Sequence, residues 1–371
     1  MKIAYLSTFY PFRGGIAQFN ASLYRALEKE NNVTAYTFTR QYPDFLFPGK
    51  TQMVTPEDVA DPIPSVRLLD SINPISWMKT ASIIKSNQPD LMVMKYWMSY
   101  MAPSLGYVAG SVRSDKTRVL TVVDNAIPHE KKFFDHAFAK YFMNRNDLFI
   151  AMSDSVKNDI LSIKPNANVL LKEHPLYDHF GTIVPQREAR LKLGIDPDKK
   201  TILFFGFIRD YKGLDLLIEA FSKLNEEYQL IIAGEVYGAF DEYQKQIDSL
   251  PNKERCYPFV RYISDHEVPV FFGASDAVVL PYKSATQSGI SAIAYHFGIP
   301  IIATDVGGLK EIIKHGKTGL IVEKPLAEDI AESIRQFFTY SKSHWEQNMS
   351  NLKEDLSWDN FSKALIEFVQ R

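Results

Sequence analysis

Short apolar runs alternate along this chain with amphipathic stretches, and the alternation starts afresh halfway along it. No other feature constrains the fold as strongly. A short apolar run suits a strand buried on both faces of a parallel sheet, and the amphipathic stretch after it suits the helix that returns the chain to the next strand. The first series predicts strands at residues 3–7, 33–38, 91–95, 119–123 and 149–152. The second predicts them at 201–205, 229–233, 277–280 and 300–303. Between the series, residues 173–188 carry Pro175, Gly181 and Pro185 with little periodicity, which suits a hinge. The expectation is an α/β protein of two domains with a ligand cleft between them.

The totals agree. A chain of 371 residues is long for one core and suits two. With 42 basic against 44 acidic residues it lacks the basic footprint that releases counterions from nucleic acid, so no nucleic-acid partner is expected. Cys256 is the single cysteine, which excludes an internal disulfide and a thiolate zinc site. The opening apolar run, Ile3 to Leu6, is too short for a signal peptide and reads as a first strand, so a cytoplasmic location is expected. Residues 41–64 hold Pro43, Pro48, Pro56, Pro62 and Pro64 and are expected as a surface excursion. The tail, 326–371, reads as two or three helices.

Four segments carry chemistry. Residues 204–221 join a buried strand to an amphipathic helix and present Arg209 and Lys212 at the carboxyl edge of the sheet, where open α/β folds bind ligands. A guanidinium fork and a compact ammonium there could grip a diphosphate; the alternative is a surface charge pair with Asp210 and Asp215. Residues 280–311 hold two glycine-bearing helix starts. Thr286, Gln287, Ser288 and Gly289 precede one, and Gly307 and Gly308 the other; free amide groups there either favour an anion or merely cap helices. Gly14 and Gly15 follow the first strand and allow close backbone approach, or solve a steric problem. After the strand at 119–123, Asp124 and Glu130 could orient sugar hydroxyls and His129 could donate a proton; the alternative is a surface histidine with no catalytic task. Three other motifs fail. Gly316-Lys317-Thr318 has Glu311 where a phosphate loop needs glycine, no Gly-x-Gly-x-x-Gly follows a strand, and Asp196-Pro197-Asp198 precedes a strand, away from the carboxyl edge. No metal site is expected.

These segments together resemble the retaining GT-B glycosyltransferases of glycosyltransferase family 4, the glycosyl transferases group 1. GFIRDYKGLDLLIEAF, LIIAGE, YISDHEVPVFFGASDAVVLPY and GIPIIATDVGGLKEIIKHGKTGLIV look like family blocks in the family order. The resemblance implies two Rossmann-like doubly wound domains facing an interdomain cleft, with C-terminal helices crossing back to the first. The boundaries expected are 1–175 for an acceptor-side domain, 176–188 for the hinge, 189–350 for a nucleotide-sugar domain and 351–371 for the returning helix. It implies transfer of a hexosyl group from a UDP or GDP sugar to a glycan or lipid-linked acceptor, with retention and with no metal or cofactor. Arg209 and Lys212 match the family's diphosphate-binding cations, Gly15 its N-terminal glycine loop, and Glu311 the acidic residue after its Gly-Gly turn.

This chain departs from the family at two places. The two glutamates usual in the donor motif align with Ala285 and Ile293, and the histidine usual after the strand at 119–123 aligns with Asp124, leaving His129 as its replacement. A nucleotide-sugar epimerase of the same fold, or a binding subunit that has lost the donor glutamates, therefore stays open. So does a peripheral membrane contact through the basic and aromatic residues 131–145, whose phenylalanines suit a core face equally well.

Overall fold

The computed structural model describes residues 1–43, 52–54, 60–127, 134–176, 181–236, 238–284 and 288–371. The chain divides into two compact units, Met1–Pro175 with Leu356–Arg371, and Leu176–Asp355.

In the first unit, β1 (Lys2–Leu6), β2 (Asn32–Arg40), β3 (Ser65–Asp70), β4 (Leu91–Tyr96), β5 (Arg118–Val123), β6 (Leu148–Ala151) and β7 (Asn168–Leu171) form one sheet. Its order is β3-β2-β1-β4-β5-β6-β7, with every pairing parallel. The order reverses direction between β1 and β4, which opens a crevice at the carboxyl ends of those strands. Apolar side chains cover both faces, and that is why β4 and β6 are buried along their whole length. The helices include α1 (Gly15–Glu28), α2 (Pro74–Ser86), α3 (Ala102–Val112), α4 (Asp135–Met143) and α5 (Asp154–Ile163). Phe142 of α4 lies in the core and Phe138 packs against it, so those two rings of the 131–145 stretch turn inward. Lys131, Lys132 and Phe133 lie outside the described residues. No helix among the described residues is long and apolar enough to cross a membrane.

In the second unit, α6 (Gln186–Lys192), β8 (Lys200–Phe205), α7 (Leu214–Ser222), β9 (Tyr228–Ala233), α8 (Asp241–Asp248), β10 (Cys256–Phe259), α9 (Val268–Ala274), β11 (Ala277–Leu280), α10 (Gly289–Phe297), β12 (Ile301–Thr304), α11 (Leu309–Ile312), β13 (Gly319–Val322), α12 (Ala327–Phe337) and α13 (Lys342–Asp355) follow in turn. The sheet order is β10-β9-β8-β11-β12-β13, again all parallel, with its reversal between β8 and β11. At its amino edge Asp276 receives Arg190 at 2.8 Å, Gln186 at 2.8 Å and the Thr201 amide at 2.7 Å, which ties α6 to the sheet. Residues 186–188, expected within the hinge, are therefore the first turn of α6.

The tail forms three helices, and they divide between the units. α13 extends to Asp355 in the second, so residues 351–355 do not belong with the returning helix; α14 (Trp358–Gln370) alone joins the first. Its Phe361, Leu365, Phe368 and Val369 enter the core formed by Phe19, Leu23 and Leu27 of α1 with β1, β4 and β5. The stretch at 41–64 is not wholly a surface excursion. Ile63 is buried in that core, Met53 bridges to Phe12, and Gln52 exchanges hydrogen bonds with the Tyr42 backbone. Prediction: Phe361→Ala should destabilise the first unit by about 3–5 kcal/mol, the cost of emptying an aromatic core site. Chemical denaturation checks this, and a loss under about 1 kcal/mol would contradict the packing.

Candidate functional site

The loop after β8 and the loop after β11 meet at the reversal point of the second sheet. Gly213 makes the approach possible. Its φ is +67°, and a Cβ placed there would lie 2.0 Å from the Pro281 carbonyl oxygen, so only glycine fits. Residues Asp210–Lys212 form a single 3-10 turn in front of it, with Arg209 just before. That turn sends the Lys212 side chain inward, 9% of the residue being exposed, while Arg209 stays at the surface.

Lys212 is the unusual group. Its Nζ lies 5.7 Å from the centre of the Tyr282 ring and 3.4 Å from where a Cβ on Gly206 would stand. Burial, and then the nearby Arg209 charge, hold its ammonium below the ordinary lysine value. Among the described residues no carboxylate or carbonyl receives a hydrogen bond from Nζ. The carboxylates expected to neutralise it are engaged elsewhere, since Lys283 reaches Asp210 at 2.8 Å and Asp215 at 2.9 Å. Lys283 thus removes the surface-pair alternative for Lys212 and stiffens the loop.

Around this cation stand Tyr282 and Ser288, 3.0 Å apart through their hydroxyls. Burial pushes the Tyr282 phenol up to about 12, so it is a neutral hydrogen-bonding group. Ser288 precedes α10 without capping it through its side chain, and Ile290 of α10 approaches Gly206. Thr286, Gln287 and Ala285 lie outside the described residues. Ile293 is half-buried on α10.

Gly307, Gly308 and Glu311 follow β12 at the same sheet edge. The helix they open, α11, has only four residues, too short to sum an appreciable dipole, so any attraction there comes from its first backbone N–H groups. Glu311 is exposed, and no hydrogen bond or ion pair joins it to Lys212 among the described residues. Gly316-Lys317-Thr318 closes a tight turn, with the Gly316 amide donating to the Gly319 carbonyl.

In the first unit, Gly14 takes φ +102° before α1, and a Cβ on either Gly14 or Gly15 would meet open space. Gly14 is thus required for conformation and Gly15 leaves room. Asp124 continues β5, its amide donating to the Tyr96 carbonyl at 2.8 Å. Its carboxylate receives the ammonium of Lys95, which sequence reasoning passed over although a lysine inside the apolar run LMVMKY was there to be seen. His129 and Glu130 lie outside the described residues. Cys256 is buried and its thiol pushed up to about 12, which suits a packing role.

Two Rossmann-like units with parallel sheets define the GT-B glycosyltransferase fold. Residues 185–351 match the family model of the glycosyl transferases group 1, a little under half of the chain. A glycosyltransferase of Methanocaldococcus jannaschii, itself uncharacterised, is 28% identical over 186 residues, 48% of this chain and 46% of that protein. The lipopolysaccharide core biosynthesis mannosyltransferase LpsB of Rhizobium meliloti is 29% identical over 192 residues, 50% of this chain and 53% of its own length. The chain thus spans about half the length of these curated relatives. The Anabaena protein HepE, solved in complex with UDP, shares the fold across the whole of both chains with a TM-score of 0.63 and 16% identity.

Prediction: Gly213→Ala should lower stability by roughly 2 kcal/mol or more. Thermal unfolding checks this; a wild-type melting temperature would contradict the close approach.

Proposed function

We propose that this chain is a retaining glycosyltransferase that moves a hexosyl group from a UDP or GDP sugar to a glycan or lipid-linked acceptor. The observation that carries the reading is Lys212, a buried ammonium with no carboxylate partner among the described residues and a guanidinium as neighbour. A buried charge of this kind is costly unless an anion completes it. A diphosphate fits, because it accepts from both cations at once, and HepE, of the same fold, is known with UDP.

In the proposed reaction the acceptor hydroxyl attacks the anomeric carbon on the face from which the nucleoside diphosphate leaves. The bond to the leaving phosphate oxygen breaks, and the acceptor proton passes to that oxygen. Lys212 and Arg209 stabilise the negative charge that develops there, so the proposed site works without a metal. Ser288, Gly289, Gly307, Gly308 and Glu311 are proposed to complete the donor side of the second unit, with Thr286 and Gln287 beside them. Gly14, Gly15, Asp124, His129 and Glu130 are proposed to serve from the first. A cytoplasmic location belongs to the same proposal.

Ile293 favours a second reading. An aliphatic side chain stands where a donor glutamate is usual, as expected of a binding subunit that keeps the fold and little turnover. Prediction: Lys212→Ala should slow nucleotide-sugar turnover by about 100 to 1000-fold with the fold intact. Release of nucleoside diphosphate, with circular dichroism as the fold control, checks this. Unchanged turnover would sink the assignment. Nucleotide binding without turnover in the wild-type chain would favour the binding subunit.

A further inference from the structure

Lys95 is 1% exposed at the end of β4, where Met92, Met94 and Tyr96 are its buried neighbours. Its Nζ lies 2.7 Å from Asp124 Oδ1 at the carboxyl end of β5, and 3.3 Å from the centre of the Phe19 ring on α1. That ring is itself clamped edge to face by His174 at 5.2 Å, Trp358 at 4.9 Å and Phe361 at 5.9 Å. The ammonium is therefore held by a carboxylate on one side and an aromatic face on the other.

A cage of this kind is a poor way to stabilise a fold. Replacing a buried ion pair by apolar groups of similar volume is often neutral or stabilising, because the desolvation of both charges offsets their attraction. What the arrangement does provide is a fixed carboxylate. The Asp124 side chain keeps 23% of its surface exposed while Lys95 keeps 2%. Among the described residues, Lys95 is the one hydrogen-bond donor to that carboxylate, and it uses Oδ1.

We propose that Lys95 is a positioning residue, which anchors Oδ1 of Asp124 so that Oδ2 accepts a hydrogen bond from a sugar hydroxyl at the carboxyl edge of the first sheet. The proposal rests on the glycosyltransferase reading above. The hydroxyl can belong to the donor sugar or to the acceptor, and both present the same chemistry.

The test uses the full chain and the paired substitution Lys95→Gln with Asp124→Asn, which retains an amide hydrogen bond and leaves no unpaired charge in the core. The donor is whichever of UDP-glucose, UDP-galactose and GDP-mannose the wild-type chain turns over. Rates are read with water as acceptor and with octyl glucoside. Calorimetry with UDP and GDP reports separately on the second unit. The expected result is nucleoside diphosphate affinity within about twofold of wild type and a fall in kcat/KM of about 10 to 100-fold, the worth of one hydrogen bond to a charged group. A slower hydrolysis assigns the hydroxyl to the donor, and a slower transfer to octyl glucoside alone assigns it to the acceptor. Lys95→Arg, which keeps the anchor, should recover most of the rate; equal losses in Lys95→Arg and the paired variant would mean that packing alone is at stake and would overturn the proposal. Wild-type kcat/KM in the paired variant with both acceptors would overturn it too, leaving the donor site untouched. A wild-type chain that neither binds UDP or GDP nor releases nucleoside diphosphate would overturn the underlying reading and this proposal with it.

Discussion

Removing a lysine ammonium from water costs several kcal/mol unless a negative charge lies against it. The two buried lysines among the described residues answer that cost differently. Lys95 has Asp124 at 2.7 Å, whereas Lys212 has Arg209 for its charged neighbour and no carboxylate among the described residues. The proposed diphosphate would answer that cost for Lys212, and the local geometry is compatible with it. Gly213 lets the loop close on Pro281, and Lys283 takes up Asp210 and Asp215, which would otherwise neutralise the cation.

Both sheets gather their loops in the same way. All strands run parallel, so every β–α loop in a unit emerges at one edge, and the reversal of strand order separates neighbouring loops enough to admit a ligand. In the first unit the reversal lies between β1 and β4, beside the Gly14 turn and the Lys95–Asp124 pair. In the second it lies between β8 and β11, whose loops hold Lys212 and Tyr282. Fold likeness alone would not assign a reaction, since one architecture serves many chemistries. Sugar transfer is therefore proposed from particular side chains and from the group 1 match over residues 185–351.

The central strands were legible because burial on both faces makes them continuous apolar runs. The strands at 3–7, 91–95 and 277–280 agree with β1, β4 and β11 to within a residue at either end. The sheet-edge strands β3, β7, β10 and β13 were not predicted. SVRLLD and CYPF carry polar residues or proline because one side of an edge strand needs no partner, and NVLL is only half-buried. At the candidate site, Arg209 and Lys212 could be read from a strand, a loop and a helix in succession. The roles of Lys283 and Lys95 could not, because each acts through a partner far away in sequence: Asp210 is 73 positions from Lys283, and Asp124 is 29 from Lys95. Pairings of that kind are set by which strands lie side by side, and short-range patterns carry no trace of them.

The central proposal is that a phosphate of the nucleotide donor pairs with the Lys212 ammonium. A crystal structure of the chain with UDP or GDP tests it most directly. The account predicts the terminal phosphate within hydrogen-bond distance of Lys212 Nζ, with the Arg209 guanidinium on the same group. A nucleotide whose phosphates lie away from the loop between Gly206 and Gly213 would contradict it.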